Sequence, residues 1–335
     1  MRRGFLLTCA LLLLSGGLHA QSKTGTSTGQ FLLIEPSARI AAMGNAGSTL
    51  FGDIESAYYN PAAIGMLSSS GAQFTHSLWI ADITYDYAAL GLKLGDFGNL
   101  YASVTSLNSG EIDVRTVDQP LGTGERYTVE DLAFGIGYGR RVSDQFSVGV
   151  QAAYISETIW HSGLSAYALN VGTLYRISER GLHIGASISN FGTRARYDGT
   201  DLRILYDQNP GVFGDNATLP GALLTDDFPL PILFRVGIGI PIVLNDDNVI
   251  RTAVDAFHPS DNTESVSMGA EWGYANTFFV RGGYQNLFLT DSEVGLTLGA
   301  GLRATLDTYA VSFDYAWTDE GRIKETHRFT LGISF

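Results

Sequence analysis

From Gly71 to Phe335 the chain alternates a large apolar residue with a small or polar one, segment after segment. The cleanest stretch is Leu132-Ala133-Phe134-Gly135-Ile136-Gly137-Tyr138-Gly139, with four large side chains on one parity and only alanine and glycine on the other. Successive side chains on a strand point to opposite faces, so such a segment has one greasy face and one small one. Repeated along most of a chain, with turn residues between segments, the pattern predicts a closed antiparallel barrel. The identity of the greasy face then decides what solvent lies outside.

The first twenty residues stand apart. Arg2 and Arg3 form a positive start, Phe5 to Leu14 an apolar run, and Leu18-His19-Ala20 a cleavage site before Gln21, which together predict a secretory signal peptide. The one cysteine, Cys9, lies inside it, so the mature chain has no disulfide framework and no thiolate metal site. Without the two leader arginines the mature chain carries 19 basic against 34 acidic residues, a formal charge of −15. That excludes a general nucleic-acid binder, which needs a basic face. No apolar run after residue 20 reaches the ~18 residues of a spanning helix. An exported chain can still live in a membrane as a closed barrel, in which every strand edge is paired.

About fourteen segments carry the strand pattern: 72–79, 82–94, 98–108, 127–140, 145–157, 164–178, 181–193, 231–242, 248–258, 264–274, 277–287, 293–304, 308–318 and 325–335. Each is near the ~9–11 residues of a tilted membrane strand. Short connections fall near Gly95-Asp96, Ser143-Asp144, Glu179-Arg180, Asn245-Asp246, Ala275-Asn276 and Asp307, while 109–126, 158–163, 194–230, 259–263, 288–292 and 319–324 are longer. Outer-membrane barrels have short periplasmic turns and long outer loops, and an even strand count predicts both termini on the periplasmic side. Opposite the greasy row stand Arg176, His183, Arg235, Glu271 and Arg303. A charge facing lipid at mid-depth costs ~2–4 kcal/mol, so these residues belong to the lumen or an interface and the greasy row faces lipid. Tyr309, Val311, Phe313, Tyr315 and Trp317 fit such a lipid-facing row.

Residues 21–70 break the pattern. Pro36 to Met43 read as the opening of a short helix with Ser37 as its cap or a first-turn residue, and Glu55 to Tyr59 as a second helical turn stopped by Asn60-Pro61. This small, Ala/Gly-rich segment is expected to plug the lumen. The expected organisation is therefore a signal peptide (1–20), an N-terminal plug (21–70) and an outer-membrane barrel (71–335). The fold class is all-β: a transmembrane antiparallel up-and-down β-barrel of about 14 strands with a small plug inside.

The most specific text is Phe31-Leu32-Leu33-Ile34-Glu35-Pro36-Ser37-Ala38-Arg39, then Met43-Gly44-Asn45-Ala46-Gly47, Asp53, and Tyr58-Tyr59-Asn60-Pro61-Ala62. Here the chain resembles the PorV/PorQ family of outer-membrane proteins, related to the FadL-like barrels. Gly269-Ala270-Glu271-Trp272 followed by Val280-Arg281-Gly282-Gly283-Tyr284 is similar to a strand pair of the same family. The resemblance implies a barrel of type IX protein secretion that docks secreted cargo or translocon partners at the outer membrane. The alternative it carries is a FadL-like channel for hydrophobic small molecules such as long-chain fatty acids. Partners would then be outer-membrane lipid, the barrel-assembly machinery, and cargo or type IX components, with a hydrophobic ligand in the alternative. No cofactor and no metal are expected.

Candidate plug or ligand residues are Phe31, Arg39, Met43, Gly44, Asp53, Asn60, Pro61 and Ala62. Glu271 and Arg281, on strands joined by a short turn, are a candidate lumenal charge pair. Phe335, ending an alternating strand with Phe329, Leu331 and Ile333 on one face, is the candidate assembly signal. Catalysis is not expected: His183, Ser187 and Ser189 share a face, but four residues along a strand span ~13 Å, too far for a nucleophile–base bond. The loop 194–230 keeps Tyr197, Tyr206, Val212, Phe213, Leu219, Leu223, Leu224 and Phe228 among Asp201, Asp207, Asp215, Asp226 and Asp227. Such an apolar load predicts a lid over the mouth or a docking surface.

Overall fold

Period-two alternation becomes a wall because each backbone donor and acceptor at membrane depth needs a partner on a neighbouring strand. A computed structural model describes residues 24–178, 181–212, 218–289 and 292–335. The signal peptide expected over 1–20, the turn at Glu179-Arg180, and Phe213 and Asp215 of the long loop lie outside the described residues.

Fourteen strands make the barrel: β1 (Gly71–Leu78), β2 (Thr84–Lys93), β3 (Asn99–Asn108), β4 (Val129–Arg141), β5 (Phe146–Ile159), β6 (Ser162–Arg176) and β7 (His183–Gly192), then β8 (Leu233–Val243), β9 (Asn248–Pro259), β10 (Ser265–Tyr274), β11 (Phe278–Leu287), β12 (Leu296–Leu306), β13 (Tyr309–Asp319) and β14 (Glu325–Ser334). Each pairs antiparallel with its sequence neighbours. The sheet closes through β1 and β14, in register from Gly71↔Ser334 to Leu78↔His327. The expected strand count holds.

The two faces sort as the alternation requires. On β4, Phe134, Ile136 and Tyr138 are exposed outward, while Ala133 is buried on the inner row. On β13, Tyr309 and Phe313 face out, and Asp314, Ala316 and Thr318 are buried within. Arg235 and Glu271 are 2% and 0% exposed, so the charges opposite the greasy row do lie inside the wall.

Connections at one end of the barrel are short and those at the other mostly long, with one correction. The connection expected over 158–163 is only Trp160-His161, because β5 and β6 stay in register to Ile159↔Ser162. Trp160 takes φ 54°, and its ring stacks on His161 at 4.7 Å. Ser156, Thr158 and Gly163 interrupt the apolar rhythm there without interrupting the ladder. The 109–128 loop contains a small pairing of Ile112–Asp113 with Arg126–Tyr127. The 193–232 loop adds Asp198–Gly199 to the end of β6 and forms a hairpin, Arg203–Tyr206 with Leu219–Ala222.

The non-alternating segment before β1 lies inside the wall. Ser37 caps the short helix α1 (Ala38–Ala41), its Oγ accepting from the Ile40 amide at 3.1 Å. Two 3₁₀ turns follow, Ile54–Ala57 and Pro61–Met66. The first turn does end before Asn60-Pro61, Asn60 being extended (φ −148°, ψ 110°); Asn60 then caps a second turn, in which Pro61 occupies a first-turn position where its missing amide is harmless. Between them, residues 38–67 touch the inner faces of all fourteen strands.

The segment also has a direction. Gln30 Nε2 donates to Asp261 in the β9–β10 loop at 2.7 Å, and the Gly29 amide donates to Glu157 near the long-loop end of β5 at 2.6 Å. At the other end Lys93 Nζ donates to the Ser68 carbonyl at 2.9 Å, just before β1 begins. The described chain thus starts at the long-loop end and descends to the short-turn end. The barrel's own two ends lie together at the short-turn end, where the Phe335 amide donates to Ser70 O at 2.9 Å. Strand parity counts only strands, and the lumenal segment adds one more crossing.

Candidate functional site

The predicted residues fall on three parts of the lumenal segment. Phe31 is buried at the long-loop end against Ile155, Leu164 and Leu230. Met43 and Gly44 lie against β10 and β11: a Cβ on Gly269 would stand 2.0 Å from Met43 O, and one on Gly283 would stand 2.2 Å from Gly44 N. Gly44 itself has φ 66°, and its amide donates to Thr297 Oγ1 at 3.0 Å. Its own Cβ would meet Met268 O at 2.6 Å, so both conformation and space demand glycine.

Asn60, Pro61 and Ala62 dock on the opposite wall. Asn60 Nδ2 donates to Ser48 O (2.8 Å) and Thr173 O (3.0 Å), while its Oδ1 accepts from the Ala62 amide (3.0 Å). Every hydrogen-bonding position of this buried amide except one lone pair is thus used, as burial requires. Pro61 O lies where a Cβ on Gly149 would come within 1.9 Å, and Ala62 O accepts from Ser147 Oγ at 2.8 Å.

Arg39, Asp53, Glu271 and Arg281, predicted as two separate features, form one network. Arg39 gives Glu271 two parallel bonds, Nε and Nη2 at 2.8 Å each, and gives Asp53 a third at 2.5 Å. This fork-to-carboxylate geometry is the strong form of ion pairing. Glu271 also accepts from Arg281 Nε at 2.7 Å and Arg251 Nη1 at 3.0 Å, so one fully buried carboxylate serves three guanidiniums. Arg281 reaches Asp314 as well, and Arg303 reaches Asp53 at 3.1 Å. The guanidinium carbons of Arg281 and Arg303 both lie over the Phe279 ring, 5.3 and 5.6 Å from its centroid.

Reasoning from sequence found the Glu271–Arg281 pair because a short turn fixes their register. It missed Asp314 and Arg251, which are single polar residues on the inner parity of strands whose place around the wall no local text reveals. It also missed Ser48–Asp255, where the Ser48 amide and hydroxyl both donate to the Asp255 carboxylate at 2.8 Å. The hydroxyls near His183 are otherwise engaged: Ser187 donates to Tyr59 O at 2.8 Å, and Ser189 accepts from Arg235 Nη1 at 3.1 Å. The arrangement locks a segment to a wall.

A second charge cluster stands near the long-loop end. Arg328, fully buried, donates to Glu35 at 2.9 Å and stacks over Trp79, 5.0 Å from the ring centroid. Glu320, in the loop between β13 and β14, is 6% exposed. Burial first and repulsion by Glu35 second push its carboxyl up to about 7, against the pull of Arg328 and a hydrogen bond from Thr326. A carboxyl raised above its ordinary 4.5 holds its proton more tightly in the folded state. Its contribution is therefore complete below about pH 4.5 and is lost as pH rises toward 7. Glu320→Gln should flatten the pH dependence of the unfolding free energy, measured by urea titration, across that window, by roughly 1–2 kcal/mol after solvent screening. An unchanged slope would show that Glu320 does not titrate there.

Phe335 lies at the short-turn end, 51% exposed, on the lipid-facing row with Leu331 and Ile333.

Comparison with known proteins follows this architecture. No curated protein matches the sequence. Among solved structures, the toluene transporter TodX of Pseudomonas putida superposes with a TM-score of 0.56 at 12% identity, covering 90% of this chain and 98% of that one. The toluene transporter TbuX of Ralstonia pickettii gives 0.52 at 14% identity, covering 90% and 97%. The monoaromatic hydrocarbon channel CymD gives 0.54 at 12%, covering 90% and 98%. These likenesses establish the fold. Residues 18–205, more than half of the chain, match the family of the type IX secretion system protein PorV. The chain belongs to the PorV family of type IX secretion proteins and is an outer-membrane β-barrel.

Proposed function

We propose that this barrel works as a docking platform of type IX secretion, holding secreted cargo or translocon components at its long-loop end while residues 24–70 plug the lumen. The observation that carries this reading is the contact of residues 38–67 with all fourteen strands, by backbone approach and buried ion pairs rather than by loose packing. A lumen occupied in this way leaves binding to the outer surface. That surface offers apolar side chains in the 193–232 loop: Leu205 is 73% and Leu224 80% exposed, with Tyr206, Val212 and Leu223 also exposed. Aspartates stand among them. An apolar set rimmed by acids suits a protein partner better than solvent. In this orientation the short turns and Phe335 face the periplasm and the long loops face outward.

The test is affinity capture from cells that carry the secretion system. Replacing residues 203–222 with a short Gly-Ser linker removes the hairpin and leaves the strands' register untouched. Capture of cargo or translocon components should fall at least tenfold while the barrel still reaches the outer membrane. Undiminished capture would remove the loop from the docking surface. If the unaltered protein and the linker variant both capture nothing, yet cells lacking the protein lose uptake of a labelled fatty acid, the channel reading prevails instead.

A further inference from the structure

Three successive strands running toward the short-turn end finish on a cation: β2 on Lys93, β4 on Arg141 and β6 on Arg176. The other strands running that way finish on Val243, Tyr274, Leu306 and Ser334. Lys93 shares the inner row of Gly91, Arg141 that of Gly139 and Arg176 that of Leu174, so the wall stands between these cations and the bilayer. All three line one open cavity of about 610 Å³ at the mouth, bounded inward by Phe51 and by residues 65–68 of the lumenal segment. That inner boundary is tied to the wall: Asn99 Nδ2 donates to Ile64 O at 2.7 Å, and Lys93 Nζ donates to Ser68 O at 2.9 Å.

The cations are held in place without an ion pair. Arg176 Nη2 donates to the Asp144 backbone carbonyl at 2.8 Å, and its guanidinium carbon lies over the Phe51 ring, 5.2 Å from the centroid. Among the described residues no carboxylate comes within 4 Å of Lys93, Arg141 or Arg176. Asp96 and Asp144, in the adjoining turns, act from farther off and do not outweigh them: residues 93–99, 139–147 and 174–183 together hold five basic and three acidic side chains. The turns of the facing half, 244–247, 275–277 and 307–308, hold three aspartates and no lysine or arginine. The mouth is therefore polarised, positive on its β2–β6 side, in a chain of formal charge −13. Low-dielectric walls focus such a field into the cavity.

Spacing sets the kind of anion. Lys93 and Arg141 stand two strands apart, as do Arg141 and Arg176, which at ~4.8 Å per strand puts about 10 Å between neighbours and nearly twice that from end to end. A single small ion spans no such distance. An extended peptide rises ~3.3 Å per residue, so about six residues of it cover all three cations. We propose that the basic side of this mouth docks an extended acidic segment of a partner protein, a periplasmic one in the orientation proposed above. Carboxylates of the segment pair with Lys93, Arg141 and Arg176 in turn. Repulsion from the aspartates of the facing turns confines the segment to the β2–β6 side and fixes its register. The site is a tether on the opposite side of the membrane from the long loops.

Purified protein in a neutral detergent is titrated against fluorescein-labelled octaglutamate, with fluorescence anisotropy as the readout. Binding should saturate at one peptide per barrel and weaken about tenfold or more between ~0.05 and ~0.5 M salt. Lys93→Gln combined with Arg141→Gln should weaken it about tenfold or more as well. Lys93→Arg combined with Arg141→Lys keeps both charges and should bind as the unaltered protein does. Arg176 is left in place because it also braces the Asp144 turn. No saturable binding, or undiminished binding by the double glutamine variant, would overturn the proposal. So would displacement by free glutamate at the same carboxylate concentration, which would reduce the site to single-ion binding. Stronger displacement by soluble dihexanoyl-phosphatidylglycerol than by unlabelled octaglutamate would assign the cations to lipid headgroups instead. The assay contains no secretion component, so its outcome is separate from that of the capture experiment.

Discussion

Replacing Glu271 with glutamine should destabilise the barrel by about 3–5 kcal/mol, among the largest effects of any single substitution. The side chain keeps its shape, so packing is not at issue. What disappears is the one charge shared by Arg39, Arg281 and Arg251. Removing one partner of a buried network leaves uncompensated charge, which costs far more than the net worth of the intact pairs. Arg251→Met is the internal control. Its side chain is 36% exposed and already in touch with water, so its loss should cost about 1 kcal/mol or less. The readout is the urea midpoint of protein refolded in detergent. A Glu271→Gln midpoint equal to that of Arg251→Met would mean the network does not bear on stability.

The second large effect comes from filling the space where the segment's backbone meets the wall. Valine at Gly149 and Gly269 would push side-chain atoms into Pro61 O and Met43 O, sites a Cβ alone would approach to 1.9 and 2.0 Å. Backbone cannot step aside as a flexible side chain can. The strands carrying these glycines keep their own ladders, so the strain falls on the segment. At ~1–3 kcal/mol per overpacked site, amide exchange over residues 42–66 should speed roughly 5- to 150-fold for each substitution. Strands β5 and β10 should exchange as before. Equal exchange in the segment, or faster exchange in the strands instead, would contradict a segment held by close backbone contact.

How far the sequence carries this account depends on which residues speak locally. Strands such as β4 announce themselves, because lipid outside demands large apolar side chains on every second position and a crowded lumen demands small ones between. Ser37 as a cap and Asn60 as a backbone-binding amide are equally legible, since their partners lie within a few residues or in adjacent backbone. Trp160-His161 is less so, because polar residues on the ladder's last rungs look like loop. The Arg39 network is legible only in part. Glu271 and Arg281 meet through a turn, but which strand brings Asp314 or Arg251 beside them depends on where the segment lies in the closed barrel. The segment's descent from the long loops is likewise invisible to strand counting. Arg235 is visible as an inner-face charge; its bond to Ser189 appears only in three dimensions.

The central claim is a PorV-family barrel whose lumen is sealed, so that its work is done at its outer surface. The most direct measurement is ion conductance across a planar bilayer, comparing the protein purified from outer membranes with a form lacking residues 24–68. The sealed protein should be electrically silent, and the shortened form should conduct steadily, as an open fourteen-stranded barrel must. Equal, porin-sized conductance from both forms would contradict the account.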